Sequence, residues 1–334
     1  MTAMFHLRHR QGLDPNMFTT TPVSPGLTLS ATNPRRRTHI MSILNTTPDS
    51  FSDGGSHRPS DIDALKATVA DHIAAGATII DVGGQSSRPG APDVTAEEEI
   101  ARVLPAIEAI KALPQAQHIA ISVDTYRAQV AEAAVNAGAH VVNDISAGTL
   151  DADMLPTVAR LGCTYIMMHM RGTPATMNSA ENCTYGDGEE GRVWPAVFRE
   201  LQTRIDAALQ AGIRRWRIIT DPGIGFAKTQ AQNLELLRDL SHLALGPSTF
   251  SQVPMLVGTS RKGFIGNITG VKEARERVWG TAATVTAAIR GGVDIVRVHN
   301  VAEMAQVAKM SDAIFRIPGH MSTRERARRV IGST

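Results

Sequence analysis

The sequence predicts an α/β protein folded as a closed (β/α)8 TIM barrel, a single domain with flexible N- and C-terminal extensions, and three observations carry that prediction. Eight short apolar runs, at 39–44, 78–82, 119–123, 140–142, 164–168, 216–220, 255–257 and 293–298, lack the polar alternation of half-exposed strands and read as strands buried on both faces of a parallel sheet. Eight amphipathic stretches, near 60–75, 95–112, 126–137, 151–161, 190–211, 232–243, 272–290 and 301–314, separate and follow them. Glycine stands just before a strand in Ala75-Gly76-Ala77, Ala137-Gly138-Ala139, Leu161-Gly162-Cys163, Ala211-Gly212-Ile213 and Gly291-Gly292-Val293, where a left-handed residue closes a helix in a short turn. Strict alternation implies right-handed crossovers, and eight such units over about 280 residues fit a closed barrel better than an open sheet. The first strand-to-helix turn lacks the Gly-x-Gly-x-x-Gly of a dinucleotide fold.

Taken in order, the strands end on polar residues. The first run stops at Asn45, the second contains Asp81, the third stops at Asp124 and the fourth at Asn143-Asp144. The fifth gives Met168-His169-Met170, the sixth Asp221, the seventh leads to Ser260-Arg261-Lys262, and the eighth to Arg297-Val298-His299. An isolated Asp or Asn after a strand is often the cap of the next helix. Caps need not sit at every strand end, however, nor include Lys, Arg and His. The loops at 45–59, 83–94 and 169–189 are long while helix-to-strand turns are short, so one rim is free for chemistry.

The stretch Asp221-Pro222-Gly223-Ile224-Gly225-Phe226-Ala227-Lys228 is the most pointed of these. Proline and glycines stop the strand from continuing, so Asp221 is held on a stiff loop with an aromatic and a cation close behind. An acid, a flat apolar face and a positive charge suit a planar heterocycle bearing an anionic group; the alternative is an acid that caps the following helix.

Charge is uneven along the chain. Residues 1–37 hold Arg8, Arg10, Arg35, Arg36 and Arg37 against Asp14, and 319–334 hold four arginines against Glu325. These balances of +4 and +3 leave −5 for the middle under a total of +2, which argues against a nucleic-acid-binding core. The ends are expected to be a basic extension or linker (1–37) and a basic tail (319–334) around a barrel at 38–318. The first segment reads as a transit peptide, a linker from a longer polypeptide, or a disordered extension. The expected location is accordingly cytoplasmic, or mitochondrial if that segment is a transit peptide. No apolar run reaches membrane-spanning length. Cys163 and Cys183 suggest neither a disulfide framework nor a metal site.

The mouth residues divide by charge. Asp124, Asn143, Asp221 and Lys262 can satisfy the amide-like edge of a heterocycle. Arg88, Arg297, His299 and Asn45 suit a phosphate and its metal. No serine, histidine and acid trio lies in a nucleophile-elbow context. His169 between two methionines reads as a packed, hydrogen-bonded residue.

The stretches from Ile43 to Gly55 (Ile43-Leu44-Asn45-Thr46-Thr47-Pro48-Asp49-Ser50-Phe51-Ser52-Asp53-Gly54-Gly55) and from Asp81 to Ala91 (Asp81-Val82-Gly83-Gly84-Gln85-Ser86-Ser87-Arg88-Pro89-Gly90-Ala91) resemble the two signature segments of the dihydropteroate synthase family. So do Val123-Asp124-Thr125, Asn143-Asp144, Met168-His169-Met170, the run from Asp221 to Phe226, Ser260-Arg261-Lys262 and Arg297-Val298-His299, in the right order between Thr38 and about Arg316. The resemblance implies a Mg2+-assisted transferase of folate biosynthesis, a sulfonamide target, that joins a 7,8-dihydropterin-6-methyl diphosphate to 4-aminobenzoate with SN1-like loss of diphosphate. It implies a pterin pocket of Asp124, Asn143, Met168, Asp221, Phe226 and Lys262, and a diphosphate site of Asn45, Arg88, Arg297 and His299, with Asn45 toward the metal. It places Phe51, Ser87, Pro89, Phe226, Ser260 and Lys262 around the aminobenzoate, and gives catalysis to Asp124, Arg88, Lys262, Arg297 and His299. A homodimer through the late helices, and fusion to or association with a preceding pyrophosphokinase, are further implications.

The sequence departs from the family at Gln85 and Ser87, where Glu and Thr are usual, and at Asn300, where Asp is usual. Ser87 bears on sulfonamide discrimination, and the other two remove negative charge near the mouth. Two rival readings are a corrinoid-linked methyltetrahydrofolate methyltransferase, which has no need of the Thr47 to Phe51 loop or a Ser-Arg-Lys cluster, and a catalytically silent pterin-binding paralogue.

Overall fold

The computed structural model describes residues 20–31, 33, 36–46, 62–86, 93–185, 192–244 and 253–316. Two short antiparallel strands, β1 (Thr20–Ser24) and β2 (Leu27–Ser30), precede eight parallel ones: β3 (His39–Asn45), β4 (Ile79–Gly83), β5 (Ala120–Asp124), β6 (Val141–Asp144), β7 (Thr164–Met168), β8 (Ile218–Asp221), β9 (Leu256–Val257) and β10 (Ile295–Val298). The parallel strands lie in the spatial order β8, β7, β6, β5, β4, β3, β10, β9. A bridge from Thr220 to Met255 joins the two ends, so the sheet closes as the sequence predicts. The helices are α1 (Ile62–Ala75), α2 (Ala96–Lys111), α3 (Ala128–Ala137), α4 (Met154–Leu161), α5 (Val193–Gln210), α6 (Gln230–Ala244), α7 (Gly263–Thr269), α8 (Val278–Arg290) and α9 (Val301–Phe315).

Local chemistry sets the boundaries. Gly138 and Gly162 close α3 and α4 at φ of 118° and 64°, the left-handed caps expected from their place before strands. Thr95 caps α2 by accepting from the Glu98 backbone N–H. Three expectations are corrected. The helix predicted over 272–290 begins only at Val278, after a 3-10 turn at Ala274–Glu276, and α7 precedes it where no helix was expected. The strand predicted from 216 starts at Ile218, because Arg215–Arg217 form a 3-10 turn that leaves Trp216 46% exposed. The N-terminal segment is not wholly an unstructured extension: the hairpin at 20–30 buries Val23 and Leu29 against the barrel. Its Pro22 carbonyl accepts from the Thr164 hydroxyl at 2.5 Å. Composition hid this, because only two apolar side chains of the hairpin are buried, with Leu27 packed partly against them.

Side chains alternate across a strand with period two, so register sorts the interior into layers. Met41, Ile79, Ala120, Val141, Ile166, Ile219, Leu256 and Ile295, one from each barrel strand, form a dry bottom layer with Val23 and Leu29 over it. Two residues further along several of the same strands stand Asp81, Ser122, Asn143, Met168, Asp221 and Arg297. The outer strand faces and the helices share a separate apolar shell.

Candidate active site

The polar layer opens at the C-terminal ends of the strands. Arg297 is its centre: Nε donates to Asp81 Oδ2 at 2.6 Å, and a terminal nitrogen to Asp124 Oδ2 at 2.5 Å. Asn143 donates to the same Asp81 oxygen at 3.0 Å. Asp81 is wholly buried, whereas 14% of the Asp124 side chain is exposed at the mouth. Burial raises the Asp124 carboxyl above its ordinary range against the pull of Arg297, and the Asp81 charge adds to the rise. Burial also opposes the Arg297 charge, but attraction to Asp124 and Asp81 outweighs it and holds the guanidinium above its ordinary value.

Asp221 stands across the mouth, where burial raises its carboxyl and the Lys262 charge opposes the rise. Its Oδ1 accepts from the Gly223 backbone N–H at 2.7 Å. Gly223 takes φ of 70°, and a Cβ there would fall 1.9 Å from the His169 carbonyl oxygen, so only glycine lets the loop pass. Lys262 donates to the Ile224 carbonyl and lies 4.7 Å over the Phe226 ring. Burial lowers its ammonium to about 8.

On the remaining side, the Ser260 hydroxyl lies 3.0 Å from His299 Nδ1 and accepts from the His299 backbone N–H at 3.2 Å. Asn45 ends β3 beside Gly83, where an added Cβ would come 3.4 Å from Asn45 Oδ1 and 3.8 Å from Asp124 Oδ2. The absence of a side chain at Gly83 thus keeps the space between Asn45 and Asp124 open. Arg261, at φ of 61°, donates through Nε to Asn300 at 3.0 Å. Among the described residues no three His, Cys, Asp or Glu side chains cluster as a metal site.

Asn45, Asp124, Asn143, Met168, Asp221, Phe226, Ser260, Lys262, Arg297 and His299 all belong to strand ends or the loops that follow them, as the sequence predicts. Phe51, Ser87, Arg88 and Pro89 lie outside the described residues. The structure adds a contact that the sorting by charge does not show: Arg297, grouped with the phosphate residues, donates to Asp124, grouped with the heterocycle residues, a pairing that strand order reveals and chain order does not. Lys228, the cation that follows Asp221 in the chain, is buried beneath the loop against His169, and the lysine that lies over the Phe226 ring is Lys262. Asp81, a strand-end acid with no assigned role, proves to be the shared acceptor for Arg297 and Asn143. Asp144 instead serves its own turn, accepting from the Ser146 and Gly148 backbones and from Tyr165.

Comparison with known proteins agrees. The model of the pterin binding enzyme family matches residues 41–299. The chain is 48% identical over 286 residues to the dihydropteroate synthase of Synechocystis, covering 84% of this chain and 91% of that protein. It is 46% identical over 284 residues to the mitochondrial folate synthesis bifunctional protein of Arabidopsis thaliana, covering 84% of this chain but only half of that longer one. The structure of Xanthomonas albilineans dihydropteroate synthase with 4-aminobenzoic acid superposes with a TM-score of 0.75 at 35% identity, over 90% of this chain and all of that one. The chain therefore belongs to the pterin-binding enzymes and, among them, to the dihydropteroate synthases.

Proposed function

We propose that this mouth condenses a 6-hydroxymethyl-7,8-dihydropterin diphosphate with 4-aminobenzoate to give 7,8-dihydropteroate and diphosphate. The observation that carries the reading is the grouping of Asp81, Asp124, Asn143, Asp221, Lys262 and Arg297 at one end of the barrel. Asp221, Asn143 and Lys262 offer acceptors and donors for the fused ring, and Phe226 with Met168 gives it apolar surface. The methylene C–O bond breaks with both electrons leaving on diphosphate. The aniline nitrogen, neutral at pH 7, supplies its lone pair to the C–N bond and then loses a proton to solvent. In its ionised form, which the bond from Arg297 favours against burial, Asp124 would face the positive charge that develops on the methylene, and Arg297 fixes that carboxylate in place.

The donors fit Mg2+ that arrives with the diphosphate better than a resident ion. Asn45 would offer such an ion one neutral amide oxygen beside the space at Gly83, too few protein donors to hold it without the diphosphate, and the bound ion would supply charge neutralisation for the leaving group. Arg88, Arg297 and His299 complement the departing anion.

A homodimer is part of the proposal. Trp279, Met310 and Ile268 are 85%, 62% and 51% exposed on α8, α9 and α7, large apolar side chains that a second copy would cover. Trp279→Ser is expected to shift the protein to monomer in light scattering. The bifunctional relatives make fusion to, or association with, another folate enzyme such as a preceding pyrophosphokinase part of the same reading. No helix among the described residues is long and apolar enough to span a membrane, and both cysteines are free. Cytoplasmic location is our reading, with mitochondria the alternative suggested by the Arabidopsis relative's name.

The decisive assay is diphosphate release by purified protein. Release that requires both substrates and Mg2+, and that a sulfonamide suppresses, is expected. Release without 4-aminobenzoate, or none at all, would refute the condensation.

A further inference from the structure

The mechanism makes no use of the buried cation Lys228. Lys228 is 6% exposed, and its Nζ lies 3.0 Å from each of three acceptors: the Gly223 carbonyl, the Phe226 carbonyl and His169 Nδ1. Three acceptors match the three donors of an ammonium. Because His169 accepts at Nδ1, its ring proton sits on Nε2 and is donated to Glu200 Oε2 at 2.9 Å. Glu200 is in turn held by Arg171, at 3.0 Å from its Nε. A line of polar bonds thus runs from beneath the Asp221 loop to a side chain that is 37% exposed on α5.

The two carbonyls that Lys228 grips lie at either end of the turn that forms the mouth. Gly223 donates to Asp221 from its N–H while its carbonyl is held by Lys228, and Phe226 carries the ring under Lys262. The same turn is pressed against the His169 backbone, which donates to the Asp221 carbonyl at 2.8 Å. Tyr185 closes the far side, its hydroxyl donating to the Ala227 carbonyl at 2.8 Å.

We propose that Lys228 is a positioning residue for the pterin pocket: through His169 and Glu200 it is anchored to α5, and through Gly223 and Phe226 it sets the orientation of Asp221 and of the Phe226 ring. It touches no substrate in this reading. The charged groups facing it are Asp221, Lys262, Glu200 and Arg171, with His169 between. Burial lowers its ammonium to about 7, with Asp221 opposing that fall. Burial and the Lys228 charge keep His169 neutral, lowered to about 4. Burial would raise Glu200, but bonds from His169 and Arg171 outweigh it and bring the carboxyl down to about 2, so the exposed end of the line is a firm anion.

The inference rests on the pterin reading above, and the test separates the two. Lys228→Met keeps the length of the side chain and removes its donors. The expected result is a rise of tenfold or more in KM for the dihydropterin diphosphate, with kcat and KM for 4-aminobenzoate within about threefold of the parent. The acid limb of the pH profile of kcat/KM should also move to higher pH, since Asp221 loses a positive neighbour. Glu200→Gln, at the more exposed end of the line, should give a smaller shift of the same KM. Unchanged pterin KM in both folded variants, or equal losses for both substrates and kcat, would overturn the proposal. Amide exchange at 223–227, which needs no turnover, should accelerate in Lys228→Met. If the parent releases no diphosphate yet exchange accelerates, the function fails and the positioning role stands; unchanged exchange sinks the positioning role alone.

Discussion

The two ends of the barrel use the same strands for opposite purposes. At the bottom, Met41, Ile79, Ile166 and their neighbours are sealed by Val23 and Leu29, with no charge among them. One pleat further on, Ile79 gives way to Asp81 and Ile295 to Arg297, and the layer becomes a network of ions. Apolar burial stabilises the first directly, at about 25 cal/mol per Å2 removed from water. The second must offset desolvation with paired charges, and a buried pair is a weak source of net stability. The contrast assigns stability to one end and chemistry to the other.

The substitution that should test this division hardest is Arg297→Met. It leaves the fully buried Asp81 without its guanidinium and frees Asp124 from its tether. Removing one partner of a buried pair costs about 3–5 kcal/mol, so the chemical end would then affect folding as well. Urea midpoints should fall accordingly, and kcat/KM should drop by about 10³ or more. A variant as stable as the parent would show that Asp81 is held chiefly by Asn143.

Asp124→Asn comes next, with an expected loss of about 10²–10³ in kcat, read by diphosphate release. Its effect on stability carries a sign. Burial raises the Asp124 carboxyl, so between its ordinary value near 4 and its folded value the native state holds more protons than the unfolded chain. Stability contributed by the protonated form is therefore present in acid and lost as pH rises through that window. Asparagine does not titrate, so the variant should lose less stability than the parent between pH 4 and pH 8. Thermal midpoints at the two pH values decide it.

Leu29→Ala addresses the other end. Leu29 is 2% exposed in the hairpin, and its truncation should cost about 2–3 kcal/mol while leaving both KM values and kcat unchanged. A kinetic change would mean that the bottom layer transmits strain to the mouth.

These two ends were not equally legible. The strands could be read because burial on both faces leaves a continuous apolar run, and strand-end polar residues could be listed because each run stops at one. Partnership was not readable: Arg297 meets Asp81 and Asp124 because β10 pairs with β3, β3 with β4 and β4 with β5, a strand order that joins residues 216 and 173 positions apart. The hairpin escaped because its strands are only five and four residues long and each buries a single apolar side chain, too little to mark a period. Lys228 was read as a pocket cation because chain distance from Asp221 does not say on which side of a turn a long side chain lies.

Ser260→Ala is the mildest change and sharpens the mouth itself. Ser260 is 6% exposed, and its hydroxyl lies against both the ring Nδ1 and the backbone N–H of His299. A neutral hydrogen bond of this kind contributes about 1 kcal/mol net, so stability should barely move. What should move is the orientation of His299. If the histidine faces diphosphate, KM for the dihydropterin diphosphate rises about threefold to tenfold and KM for 4-aminobenzoate stays put. The opposite pattern would place Ser260 against the aminobenzoate directly and leave His299 oriented by its backbone. The same assay thus decides which substrate the β9 and β10 ends face, a question that the pairing of Ser260 with His299 poses and strand order alone does not answer.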